Sequence, residues 1–140
     1  MDKLERMFEL QKHLQMITMG IELPDDRPDL INTHALGLFT EVGEVLQADK
    51  RWKPWRKDAT CDKEEVKKEL ADCWAFLINL TLVCGIDVND MFDYFLLKHN
   101  EVMNRNDMVI HTKKEVGWEP INDDEQYIAD TLIEDGRHEL

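Results

Sequence analysis

The sequence predicts an all-α fold, a bundle of four to five helices, and three observations carry that prediction. Apolar residues recur at steps of three and four along most of the chain. Glycine, at 6, and proline, at 4, are sparse. No segment reads as a convincing strand, apart from a short extended piece expected near Val109.

The elements follow in order. Leu4, Met7, Leu10, Leu14 and Ile17 share one face of a first helix over residues 2–19, with Asp2 as a candidate N-cap and Gly20 as the stop. The segment from Leu23 to Asp29, with two prolines and three acids, reads as a connection. A second helix begins near Leu30 and keeps its period through Leu36, Phe39, Val42 and Leu46 to Asp49. The basic, aromatic stretch Lys50 to Lys57 then breaks the pattern. A third helix starts at Asp62, with Glu65 three residues on in a capping-box-like arrangement, and stops at Gly85. From Leu70 onward it is apolar on nearly every side, interrupted by Asp72 and Asn79, so it is expected to be a central helix surrounded by protein. Asp87 is placed to cap a fourth helix, whose buried face is expected to be Met91, Phe92, Phe95, Leu96, Val102 and Met103, ending around Asn106. A last short helix is expected over Asp123 to Glu134.

A chain of 140 residues suits one domain. The expected division is a helical domain over 1–118 and an acidic C-terminal tail over 119–140. Seventeen basic against thirty acidic side chains give a net charge of −13, which argues against a nucleic-acid polymer or an anionic membrane as partner. The N-terminus has no apolar signal segment, and the longest apolar run is too short to span a bilayer, so a cytoplasmic location is expected. Cys61, Cys73 and Cys84 lack CxxC spacing and are expected to be free thiols without zinc.

Three groupings carry chemistry. Glu41 and Glu44, three apart on the second helix, put two carboxylates on one face, and Glu69 and Asp72 repeat that spacing on the third. Asp72 enters an apolar segment, where a carboxylate is costly without a counter-charge. Two antiparallel helices presenting these pairs would make an all-oxygen site suited to Mg²⁺. In a chain with thirty acids such pairs also arise on solvated faces, and a plain Lys68–Asp72 surface pair is the competing explanation. Lys98, Asn104 and Arg105 on the fourth helix could hold phosphates, or could simply favour a helix C-terminus. The Lys50 to Lys57 loop, including Lys53, Arg56, Trp52 and Trp55, could cover a bound anion and stack on a base, or form a packed hairpin cover.

The Glu-x-x-Glu and Glu-x-x-Asp pairs, followed by a helix with Lys, Asn and Arg, resemble the all-α nucleoside triphosphate pyrophosphatase superfamily, which includes the MazG-like enzymes and the dimeric dUTPases. The stretches Met7 to Lys12, Leu38 to Glu44 and Arg51 to Trp55 look most like the dimeric dUTPase branch. The resemblance spans residues 4 to about 118. It implies that Glu41, Glu44, Glu69 and Asp72 are the ligands of Mg²⁺, with Mn²⁺ as a substitute. Glu41 or Glu44 would also orient or deprotonate the attacking water. The resemblance further implies that Gln11 reads uracil, with Gln15 where an asparagine is more usual and Trp55 beside the base. Lys98, Asn104 and Arg105 would hold phosphates, with Lys53 and Arg56 of the basic loop as further candidates by their charge, and Gly117-Trp118 would match a C-terminal glycine and aromatic pair.

The implied reaction is hydrolysis of a deoxynucleoside triphosphate, dUTP first, to the monophosphate and pyrophosphate. The alternatives are a MazG-like pyrophosphatase for dCTP or a noncanonical nucleotide, and a noncatalytic acidic helical interaction module. The family forms helical oligomers, and four such helices leave apolar faces that one chain does not cover, so a homodimer or tetramer is expected.

Overall fold

The computed structural model describes residues 1–106 and 108–117. It holds four α-helices, α1 Lys3–Met19, α2 Pro28–Ala48, α3 Lys63–Val83 and α4 Val88–Arg105, with a single 3₁₀ turn at Lys50–Trp52 and no strand among the described residues. Two isolated bridges, Asp26 with Cys84 and Asp49 with Cys61, are the only β-type pairings there, so the piece near Val109 is not a strand. Trp118 and the helix expected over 123–134 lie outside the described residues.

Local chemistry sets the helix ends. Asp2 accepts from the Glu5 amide at 2.9 Å while Glu5 accepts from the Asp2 amide at 2.6 Å, a reciprocal cap. The second helix starts at Pro28, two residues before Leu30, because proline at the first helical position loses no hydrogen bond that the helix would have made. Asp62 caps α3 by accepting from the Glu65 amide at 3.1 Å, but the Glu65 carboxylate turns to Lys68 instead of closing a box. Gly85, at φ 73, makes the left-handed turn after α3, a backbone conformation that strains any residue with a side chain.

The chain divides into two compact units, Met1–Val88 and the part that begins at Asn89. In the first, α2 and α3 form the most extensive helix pairing, and α1 packs on α3. The sealed core is Phe8, Ile21, Leu23, Ile78, Leu82 and Val83, which places it at the N-terminal ends of α1 and α2 and the C-terminal end of α3. The 21–27 connection thus contributes two core residues, and it is tied down by Asp25 N–H to the Leu82 carbonyl at 3.1 Å and Arg27 N–H to the Val83 carbonyl at 2.7 Å.

In the second unit Leu96 and Asn100 are buried. Asn100 donates to the His111 carbonyl at 2.7 Å and accepts from its amide at 3.0 Å, folding the 108–117 segment back on the helix. The sealed Lys113 pairs with Asp93. Among the residues expected to be buried on this helix, Phe95 is 69% exposed and Val102 is 48% exposed.

A larger departure concerns which way the helices face. The apolar stripe read from the sequence on α1, Leu10, Leu14 and Ile17, points outward, and the inward stripe is Leu4, Phe8, Gln11 and Gln15. On α2 the apolar Leu36, Phe39 and Leu46 are exposed while His34 is sealed. Leu70, Trp74 and Leu77 of α3 are nearly half exposed, so within one chain this helix is not surrounded by protein. Periodicity identifies a stripe but not the partner that covers it.

The α2–α3 pairing depends on one small residue. A Cβ built on Gly37 would overlap the Phe76 ring, so the two backbones approach as closely as they do only because position 37 has no side chain. Gly37→Ala should gain about 1 kcal/mol of helix propensity and lose about 1–3 kcal/mol to overpacking. The expected net result in urea unfolding is a lower midpoint.

Candidate active site

With α2 and α3 antiparallel and close, Glu41 comes opposite Glu69 and Asp72. One oxygen from each of the three carboxylates lies within 4.8 Å of the others. Glu41 and Glu69 are half-buried and Asp72 is exposed, so Asp72 avoids the full cost of an apolar setting expected from its neighbours. Glu44, one turn further along α2, is exposed and lies outside this trio, although its charge still acts on Glu69.

The electrostatics are those of crowded acids. Glu69 has its carboxyl pushed above the usual range, first by loss of solvent, then by a hydrogen bond with Glu65 and by the negative charges of Glu65, Glu41 and Glu44. The Cys73 thiol is raised by burial and by Glu41, Asp72 and Glu69. Neighbouring lysines do not relieve this. Lys68 pairs with Glu65 at 3.1 Å and Lys67 with Glu64 at 2.7 Å, which rules out the Lys68–Asp72 surface pair, and among the described residues none of the three carboxylates has an ion-pair partner. Three hard oxygen donors converging without a counter-charge fit a Mg²⁺ or Mn²⁺ ion, the donor set such ions prefer.

Around the trio the remaining candidates divide. Gln11 lines an apolar groove of about 410 Å³ between α1 and α3, with Leu10, Trp74 and Ile78 among its walls. Its Oε1 and that of the sealed Gln15 have no hydrogen-bond partner among the described residues. The same holds for both ring nitrogens of His34 and for Oδ1 of Asn79. Each such buried atom costs about 1–3 kcal/mol while it stays unsatisfied. The sequence reading missed His34, because a lone histidine in a helical stripe carries no spacing signal.

The loop from Asp49 to Cys61 is pinned at its base by Lys50 N–H to the Thr60 carbonyl at 2.9 Å and Asp62 N–H to the Ala48 carbonyl at 3.0 Å. Asp49 accepts from the Arg51 side chain and amide, which holds its carboxyl far below the usual range. Trp52 donates to the Leu46 carbonyl at 2.9 Å, meets Trp55 edge to face, and carries Lys53 over its ring at 5.1 Å. Arg56 pairs with Asp58, so Lys53 and Arg56 are occupied locally and Trp55, 70% exposed, presents the open aromatic face. On α4, Lys98 pairs with Glu101 at 2.7 Å and Arg105 donates to the Glu101 carbonyl at 3.4 Å. The three cysteines are free, and among the described residues no helix is long and apolar enough to cross a membrane.

Comparison with known proteins adds family to geometry. A dCTP pyrophosphatase of Enterobacteria phage LZ5 is 26% identical over 145 residues, covering 76% of this chain and 81% of that protein. A DNA replication protein of Enterobacteria phage T4 is 25% identical over 104 residues, covering 63% of this chain but only 26% of that protein. No solved structure matches. The family model described as dUTPase matches residues 3–132, which is nearly the whole chain, and the chain belongs to that dUTPase family.

Proposed function

We propose that this protein is a Mg²⁺-dependent pyrophosphatase that hydrolyses a deoxynucleoside triphosphate, dUTP first, to the monophosphate and pyrophosphate. The observation that carries this reading is the trio Glu41, Glu69 and Asp72, three carboxylates convergent across two helices and unpaired with any cation. Family membership sets aside the noncatalytic interaction module. A second reading, dCTP as the preferred substrate, is favoured by the dCTP pyrophosphatase relative.

Glu41, Glu69 and Asp72 would hold the cation, Mg²⁺ or Mn²⁺. When bound there, the ion neutralises the triphosphate and polarises a water for attack. Glu44, exposed and one turn from Glu41, takes the role of orienting that water and accepting its proton. Gln11 and Gln15 offer amides to the polar edge of the base, and the stacking role of Trp55, on the loop at the Leu46 end of the helix pair, rests on its open face alone. Gln11 has an orphaned oxygen, which a base would satisfy. Lys53 and Arg56 belong to the proposal as phosphate contacts only if they leave their present partners. The phosphate roles of Lys98, Asn104 and Arg105 rest on the family resemblance alone. The exposed apolar stripes on α1, α2 and α3 fit a homodimer, with sedimentation velocity as the check.

Pyrophosphate release from a panel of ribo- and deoxynucleoside triphosphates, with and without Mg²⁺, tests the reading. It should show preference for dUTP and no release without metal. Glu41→Ala and Asp72→Ala should each reduce turnover to background while leaving far-ultraviolet dichroism intact; full activity in either would remove the site. Gln11→Ala should lower kcat/KM by about tenfold, the loss of one hydrogen bond to the base.

The carboxylate crowding has its own consequence for pH. Glu69 has a folded pKa above its ordinary 4.5, so its ionisation opposes folding. That penalty is full above the raised pKa and gone below the ordinary one. Glu69→Gln should therefore melt higher than the wild type at pH 7 without metal, with the difference shrinking as the pH falls through the carboxylate range. Mg²⁺ should raise the melting temperature of the wild type more than that of the variant.

A further inference from the structure

The register that sets Glu41 against Asp72 and Gly37 against Phe76 also sets His34 level with Asn79. That level lies seven residues along α3 from Asp72, two helical turns or about 10 Å. Both side chains are sealed, at 4% and 5% exposure, and both His34 nitrogens and the Asn79 Oδ1 lack a hydrogen-bond partner among the described residues. The third wall behaves alike. Helix α1 runs antiparallel to α3, with Phe8 beside Ile78 and Leu82 in the core and Gln11 lining a groove with Ala75, and its sealed Gln15 also carries an unpartnered oxygen.

Orphaned polar atoms thus lie at successive levels from the carboxylates toward the core. A role in packing accounts for only part of this. His34 does meet the Phe76 ring, at 6.2 Å between centroids, but that contact uses neither nitrogen and leaves Asn79 unexplained. Two turns of helix match the reach of a nucleoside from its α-phosphate to the far edge of its base.

We propose that His34 and Asn79 form the base-reading end of the substrate site, exchanging hydrogen bonds with the Watson–Crick edge of a pyrimidine whose triphosphate lies on Glu41, Glu69 and Asp72. The inference rests on the nucleotide pyrophosphatase reading above and names the specificity determinants of that site. Burial lowers the His34 pKa and keeps the ring neutral, so one nitrogen donates and the other accepts. The unpartnered Asn79 Oδ1 adds an acceptor. Uracil and cytosine exchange donor and acceptor at two edge positions, so a fixed acceptor at the Asn79 Oδ1 serves the two bases unequally. Both side chains are sealed, so the base reaches them only if a wall of the seam moves, and α1 is the more lightly packed wall.

The test is kcat/KM for dUTP and for dCTP with Mg²⁺ in the full chain, for wild type, His34→Phe, His34→Gln and Asn79→Leu. Substitution should raise KM about tenfold or more and change the dUTP to dCTP ratio. Mn²⁺ binding, followed by electron paramagnetic resonance, should stay at the wild-type level. His34→Phe and Asn79→Leu remove orphaned polar atoms, so they should melt no lower than the wild type. If His34→Phe fails to fold, His34→Gln carries the test, because it folds with a polar group in place and should still shift the ratio. An active wild type whose base preference is the same in His34→Gln and Asn79→Leu would overturn this inference alone. A wild type inactive on every nucleotide would overturn the pyrophosphatase reading and this inference with it.

Discussion

Three carboxylates within 4.8 Å of one another, none with an ion-pair partner among the described residues, form the arrangement on which the rest of this structure turns. Glu69 shows the cost: loss of solvent first, then the charges of Glu65, Glu41 and Glu44, push its carboxyl above the usual range. Nothing about folding favours such a cluster; it is held because α2 and α3 pack along their whole length and Gly37 lets them approach over Phe76. The core lies at the other end of the pair, around Ile78, Leu82 and Val83, so the stability generated there holds the acids together two to three turns away.

The same division explains an otherwise odd distribution of side chains. Amides and an imidazole face inward on α1 and α2, while leucine, phenylalanine and isoleucine face outward. Each choice is unfavourable for an isolated chain, since buried polar atoms go unsatisfied and apolar surface meets water. Both become favourable when a polar ligand fills the seam and another protein surface covers the outer stripes. On the proposed function, the groups that weaken the free chain are those that a nucleotide and a second copy would satisfy.

Much of this was legible in the sequence. The helix period, Asp2 and Asp62 as caps, and Gly20 and Gly85 as stops fixed all four helices to within two or three residues, since these signals are local. The convergence of Glu41, Glu69 and Asp72 was one of two readings of the acid spacing, solvated faces being the other, and only the helix pairing decides between them. The inward face was not legible. The stripe of Leu10, Leu14 and Ile17 is a true helical stripe, but only tertiary contact reveals that Phe8 and Gln15 are the buried ones. Glu44 was grouped with the other acids by spacing, and the helix rotation leaves it outside the trio. Phe95 and Val102 were assigned to a buried face by hydrophobicity, and they are exposed on α4. His34 and Asn79 had no motif to announce them; their meaning comes from register across two helices.

The most direct measurement is a crystal structure of the protein with Mg²⁺ and a nonhydrolysable α,β-imido analogue of dUTP. The expected result is a cation on Glu41, Glu69 and Asp72, bridging to the phosphates, with the base lying along α3 toward its C-terminal end. A triphosphate bound away from these three carboxylates, or a cation held by other acids, would contradict the account.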